Sequence, residues 1–122
     1  MNKNKNLKPA ISINLRKPLI RIHKDTLYSI GNPEYVLLLV NPTEQSLAVL
    51  PSDRSDTKAH HISKSSIINK KSFEIHSKSF IKNLQNLCDD LENGKVYRIY
   101  GKAIPNEDII KFNMSEAVIT NE

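Results

Sequence analysis

The sequence predicts a mainly β fold with two helices (α+β), built as two tandem β-β-α-β-β units. Three observations predict it. Apolar residues recur at every second position in several short runs, the pattern of half-buried strands. Phe80, Leu84, Leu87, Cys88 and Leu91 fall at helical spacing and mark one amphipathic helix. Two segments 53 residues apart also resemble one another, which points to an internal repeat.

The first unit covers residues 10–50. Ile11, Ile13 and Leu15 alternate with polar neighbours and predict a strand. Arg16-Lys17-Pro18 is a turn, and Ile20 and Ile22 mark the second strand. Asp25 or Thr26 can cap a short helix by accepting orphan backbone N–H groups. Leu27 and Ile30 give that helix an apolar side. Gly31 supplies a left-handed stop, and Pro33 prevents continuation. Tyr35 to Val40 is almost entirely apolar and predicts a strand covered on both faces. Asn41 to Gln45 is a turn, and Leu47 to Leu50 is the returning strand.

Residues 51–61 form a polar connector, and the second unit covers residues 62–115. Ile62 to Ile68 reads as a weak strand and Asn69-Lys70-Lys71 as its turn. Phe73 and Ile75 mark the next strand. The Phe80–Leu91 helix ends at Asn93-Gly94. Val96 to Ile104 and Asp108 to Met114 then form a hairpin around Pro105-Asn106. Residues 1–9 read as a flexible basic N-terminus and 116–122 as a C-terminal tail. The expected core includes Ile22, Leu27, Leu37, Leu39, Ile75, Leu84, Leu87 and Ile99.

The repeat rests on Ile22/Ile75 and His23/His76, identical at offset 53. Tyr35/Tyr97 and Leu47/Ile109 continue it at offset 62. The nine added residues fall where the second helix is predicted, so that helix should be the longer one. His23 and His76 are expected to satisfy backbone groups where strand passes into helix.

The chain has 122 residues and a net charge of +5. The charge alternates along it: +7 in residues 1–24, −4 in 25–57, +5 in 58–82 and −3 in 83–122. Each unit thus has one basic block, which suits an anionic partner.

Other classes are disfavoured. The single cysteine, Cys88, excludes an internal disulfide framework and a Cys-based zinc finger, and it reads as a small buried hydrophobe. His60-His61 is adjacent, so along a strand the two side chains point oppositely, a poor arrangement for a metal. There is no Gly-rich phosphate loop and no nucleophile motif. The expectation is a protein that is not an enzyme and takes no cofactor. Seven aromatics argue against RNA-type stacking platforms. The longest apolar run, Val36 to Val40, is five residues, far short of a membrane span. The N-terminal stretch is Lys/Asn-rich without an apolar core, so a cytoplasmic protein without a secretory leader is expected.

The order of elements resembles the AbrB/MraZ swapped-hairpin class of transition-state regulators. Ile20-Arg21-Ile22-His23-Lys24 through Ile30-Gly31, then Tyr35 to Leu50, carry the likeness in the first unit. Phe73-Glu74-Ile75-His76 through Leu84, then Val96 to Phe112, carry it in the second. The family's proline after the second strand is His23 or His76 here, and its helix Leu-Arg pair is Leu27-Tyr28 or Phe80-Ile81. The resemblance implies two interlocked units that exchange hairpins to form a pseudo-dimeric barrel. It also implies DNA contact by the first two strands, their turn and the helix start.

Those elements coincide with the two basic blocks. The candidate DNA-binding residues are Lys8, Arg16, Lys17, Arg21 and Lys24 in one block, and Lys64, Lys70, Lys71, Lys78 and Lys82 in the other. Glu74 stands where the first unit has Arg21, so the halves should not read DNA alike. The expected function is a small DNA-binding protein, a transcriptional regulator, gripping duplex phosphates, compatible with a homo-oligomer and needing no membrane. The alternative is a non-enzymatic protein-interaction module, antitoxin-like or a scaffold subunit, with no nucleic-acid role.

Overall fold

The computed structural model describes residues 7–65 and 71–121. The chain is mainly β with two helices, and its strands form two five-stranded antiparallel sheets. The elements are β1 (Ala10–Asn14), β2 (Leu19–His23), α1 (Lys24–Ser29), β3 (Tyr35–Asn41), β4 (Ser46–Ser52) and β5 (His60–His61). Then follow β6 (Ser72–His76), α2 (Lys78–Leu87), β7 (Val96–Tyr100), β8 (Lys102–Ala103), β9 (Ile110–Asn113) and β10 (Val118–Thr120). Sheet A runs β10-β7-β1-β2-β6 and sheet B runs β5-β3-β4-β9-β8.

The period-two residues explain the core. Ile11 and Ile13 of β1 face Ile22 and Ile20 of β2 across the ladder, and all four are at most 1% exposed. Sheet B contributes Val36, Leu47, Val49, Ile110 and Phe112, likewise enclosed. Each such side chain contributes about 1.5–3 kcal/mol by leaving water. Alternation places the remaining β1 and β2 residues on the other face of sheet A. There Arg98, Ser12, Arg21 and Glu74 lie opposite one another in a row across β7, β1, β2 and β6.

Among the ladders that join the halves of the chain are β2·β6 and β4·β9. In β2·β6 the centre is Arg21 opposite Glu74, with Ile20 against Ile75 and Ile22 against Phe73. That centre pairs two residues 53 apart. In β4·β9 the four pairs run from Ser46↔Asn113 to Val49↔Ile110, and their centre lies between Leu47↔Phe112 and Ala48↔Lys111, two residues wider than the offset of 62. β1 also pairs with β7, through Ile13↔Tyr97, and β5, which lies in the stretch read as the connector, pairs with β3 through His61↔Tyr35.

Several expectations need correction. The sheets are open rather than closed into a barrel: β6 ends one, β5 ends the other, and no ladder joins those two edges among the described residues. The expected strand from Ile62 does not form. Ile62 and Ser63 are irregular, and Lys64 and Ser65 are helical; residues 66–70 lie outside the described part. Serines offer hydroxyls that compete with a ladder, and Ser63 Oγ sits 2.9 Å from Ser65 Oγ. The expected hairpin strand from Val96 to Ile104 is divided at Gly101 into β7 in sheet A and β8 in sheet B. The segment read as a tail supplies β10, which pairs with β7.

The helices differ from expectation at their ends. Helix α1 starts at Lys24 with His23 in the capping position and no side-chain cap, two residues before the start that an Asp25 cap would give. Thr26 instead clamps α1 to β1: its hydroxyl donates to the Ala10 carbonyl at 2.7 Å and accepts from the Ala10 N–H at 2.8 Å. Gly31 is left-handed (φ 88°) at the helix end, as the sequence predicts. Helix α2 is the longer, with 10 residues against 6, but it ends at Leu87 rather than at Asn93-Gly94. Its buried line is Ile81 and Leu84, continued past the helix by Cys88 and Leu91, so Leu87 is only half-buried. Gln45 Nε2 donates to the Leu87 carbonyl at 2.8 Å, which docks the helix end on the β3–β4 turn. Strand β3 is covered on one face only. Leu37 is half-buried and Leu39 is 49% exposed, because among the described residues no layer packs on the outer side of sheet B.

Candidate nucleic-acid interface

Pairing of β2 with β6 brings the two basic blocks side by side. At the Leu19–His76 end lies the β1–β2 turn, where Arg16 and Lys17 are exposed. Asn14 shapes that turn, its Oδ1 accepting from the Arg16 and Lys17 N–H groups at 2.8 and 2.9 Å. This is the local reason the turn forms: an Asn carboxamide replaces the backbone acceptor that a turn needs. At the same end β6 passes into α2, so exposed Lys78 opens the helix and exposed Lys82 follows one turn later. Ser77 caps that helix by accepting from the Phe80 N–H at 3.2 Å. The first turn of α2 holds no acid. Cations there work against the helix dipole, which favours anions at this end.

The opposite end of β2·β6 holds the second group. The Lys24 N–H donates to the Lys71 carbonyl at 3.1 Å, so two residues from different blocks become neighbours. Lys64 shares a groove with Lys24. Lys8 is exposed nearby, and its N–H donates to Asp25 Oδ2 at 3.2 Å. The two groups are separated by the length of a five-residue strand, roughly 13 Å.

Arg21 does not belong to either exposed group. Its Nε lies 2.9 Å from Glu74 Oε2, with the side chains 27% and 22% exposed. The substitution that distinguishes the two halves is therefore an ion pair between them. Glu74 also meets His76, Oε1 to Nε2 at 3.5 Å. His23 Nε2 lies 2.7 Å from Ser12 Oγ, a side-chain contact at the junction of strand and helix. Ser12 is fully enclosed. Lys70 lies outside the described residues.

Sequence reasoning missed two cations. The Lys95 carbonyl accepts from the Leu15 N–H at 2.9 Å, which sets exposed Lys95 beside the Arg16-Lys17 turn. Arg98 joins the polar row on sheet A. Both fall in an acidic block, so local charge hid them; the Val96-Arg98-Tyr100 alternation was the available signal for Arg98. Lys111 pairs with Glu44 in sheet B, and its hydrogen bond and charge hold the Glu44 carboxyl below the usual range.

No family model, curated protein or solved structure matches this chain. Among the described residues no cluster of three or more His, Cys, Asp or Glu could hold a metal. No described helix is long and apolar enough to cross a membrane.

Proposed function

We propose that this chain binds duplex DNA through the basic ends of β2·β6, as a regulator of transcription built from two β-β-α-β-β units with exchanged strands. One observation carries the reading. Basic blocks that alternate with acidic ones along the chain meet at one strand pair, and the Lys24–Lys71 backbone bond joins them. Ammonium and guanidinium groups so placed neutralise phosphates and release counterions. The two-unit reading is supported by the β2·β6 register, whose central pair Arg21↔Glu74 has the repeat separation of 53, and by the pairing of β1 with β7 of the other half.

The test is anisotropy of labelled duplex DNA across a salt series. About half of the exposed candidates engaged would give a log–log slope of about −3 to −5. Replacing Arg16 and Lys17 by Ala should flatten it by about two units, while Lys102→Ala in sheet B should change it little. Absence of binding at low salt, or an unchanged slope in the double variant, sinks the proposal. The interaction-module reading then gains, because Leu37, Leu39 and Leu50 leave an apolar strip on the outer face of sheet B.

A further inference from the structure

A groove of about 900 Å³ lies between α1 and the residues that follow β5. That size suits a small organic ligand, for which sites run about 300–1,000 Å³. Leu27 and Ile62 form its floor and are nearly enclosed, while Tyr28 is 39% exposed. His61 stands at the side, held by two contacts. Its ring lies 4.9 Å from the Tyr35 ring at 34°, and its Nε2 lies 3.4 Å from Glu34 Oε2. Lys24 and Lys64 border the same space, and Lys71 adjoins Lys24 through the backbone bond already described.

These groups ask for one kind of occupant. An apolar floor beside tyrosine and imidazole rings suits a flat ring. Two ammonium groups suit a phosphate. The Glu34 carboxylate suits an amine on the ring edge, as carboxylates accept from cytosine N4. We propose that the groove receives one unpaired nucleotide of a DNA strand, its base against Tyr28 and His61 and its phosphate at Lys24 and Lys64. The proposal rests on the DNA-binding reading and adds to it a site for an unstacked base, with cytosine preferred to thymine.

The experiment compares a blunt labelled duplex with the same duplex carrying a short single-stranded overhang of deoxycytidines or of thymidines. Base stacking on aromatic side chains predicts about tenfold tighter binding of the cytidine overhang than of the blunt duplex. Tyr28→Ala should remove that gain and leave blunt-duplex affinity unchanged. Lys64→Gln should reduce the gain, and it alters no buried group, so folding is not at issue. Equal affinity for overhang and blunt duplex overturns the proposal while the DNA reading stands. So does a gain that survives Tyr28→Ala. Binding of free deoxycytidine monophosphate without any overhang preference reassigns the groove to a free nucleotide and likewise overturns it. Failure of the blunt duplex to bind at low salt defeats the DNA reading itself, and this proposal with it.

Discussion

The ladders β2·β6 and β4·β9 both join the halves of the chain, yet they are built differently. In β4·β9 the inward pairs are Leu47↔Phe112 and Val49↔Ile110, all at most 1% exposed, and β8 and β3 flank the ladder on either side. In β2·β6 the inward pairs are Ile20↔Ile75 and Ile22↔Phe73, but β6 is an edge strand and Phe73 is only half-buried. Its outward pair is the charged Arg21–Glu74 contact. Two ladders between the same halves thus serve two purposes. One ladder is a sealed seam that holds the core. The other is an open border, and the basic residues gather along it. An edge strand opens more readily than an interior one.

Four measurements would break or sharpen that contrast. The largest effect is expected for Phe112→Ala in the sealed seam, about 3–5 kcal/mol from lost transfer energy and a cavity. Phe73→Ala in the border should cost roughly half as much, because that ring is already partly in water. Urea unfolding of the two variants decides; equal losses would end the contrast.

Next is Gly101→Ala. A Cβ at this position would lie 2.5 Å from Phe112 Cε2 and 2.6 Å from Ile110 Cγ2. The expected loss is about 1–3 kcal/mol from overpacking. A midpoint like that of the parent would mean that the seam yields more than its packing implies.

The Arg21–Glu74 pair is third. A double-mutant cycle with alanine at both positions should return a coupling of about 0.2–1 kcal/mol, declining with salt. A coupling of zero would leave the border held by its isoleucines alone.

The smallest effect concerns pH. Burial pushes the His60 imidazole below its usual value, so folding favours the neutral ring. The unfolded chain therefore takes up the proton first. The contribution is fully present above about pH 6.5, the unfolded value, and is lost as pH falls toward the lowered native one. The urea midpoint should drop between about pH 7.5 and about pH 5.5, and His60→Gln should lessen the drop. An equal drop in the variant would move the cause elsewhere.

Much of this architecture was legible residue by residue. Strands β1, β2 and β7 announced themselves by alternation, α2 by its apolar spacing and the end of α1 by Gly31. What escaped depends on partners distant in sequence. Leu39 looks like a core residue, yet it is 49% exposed because it points to the outer side of sheet B, where no described element packs. The segment after His61 looks like a strand, but its described part is irregular at Ile62 and Ser63 and helical at Lys64 and Ser65. Gly101 carries no local sign that the chain changes sheets there. For the site, both basic blocks were visible, and so was the departure at Arg21 and Glu74. Only the register reveals that these two residues face each other, which takes Arg21 out of the set of exposed cations.

Strand β1 lies at the centre of sheet A, and one of its two neighbours arrives very late. Ile11 pairs locally with Ile22, but its other partner is Ile99. A ribosome adding roughly 5–20 residues per second needs about 4–18 s to make the chain between those partners. Throughout that interval one whole edge of β1 stands without its ladder. A nascent chain halted before Val96 would keep that edge bare, with apolar side chains alongside it. Synthesis, rather than collapse, therefore sets the earliest moment at which this molecule can close its first sheet. Any factor that guards it during translation would have to shield the stretch from Ala10 to Asn14.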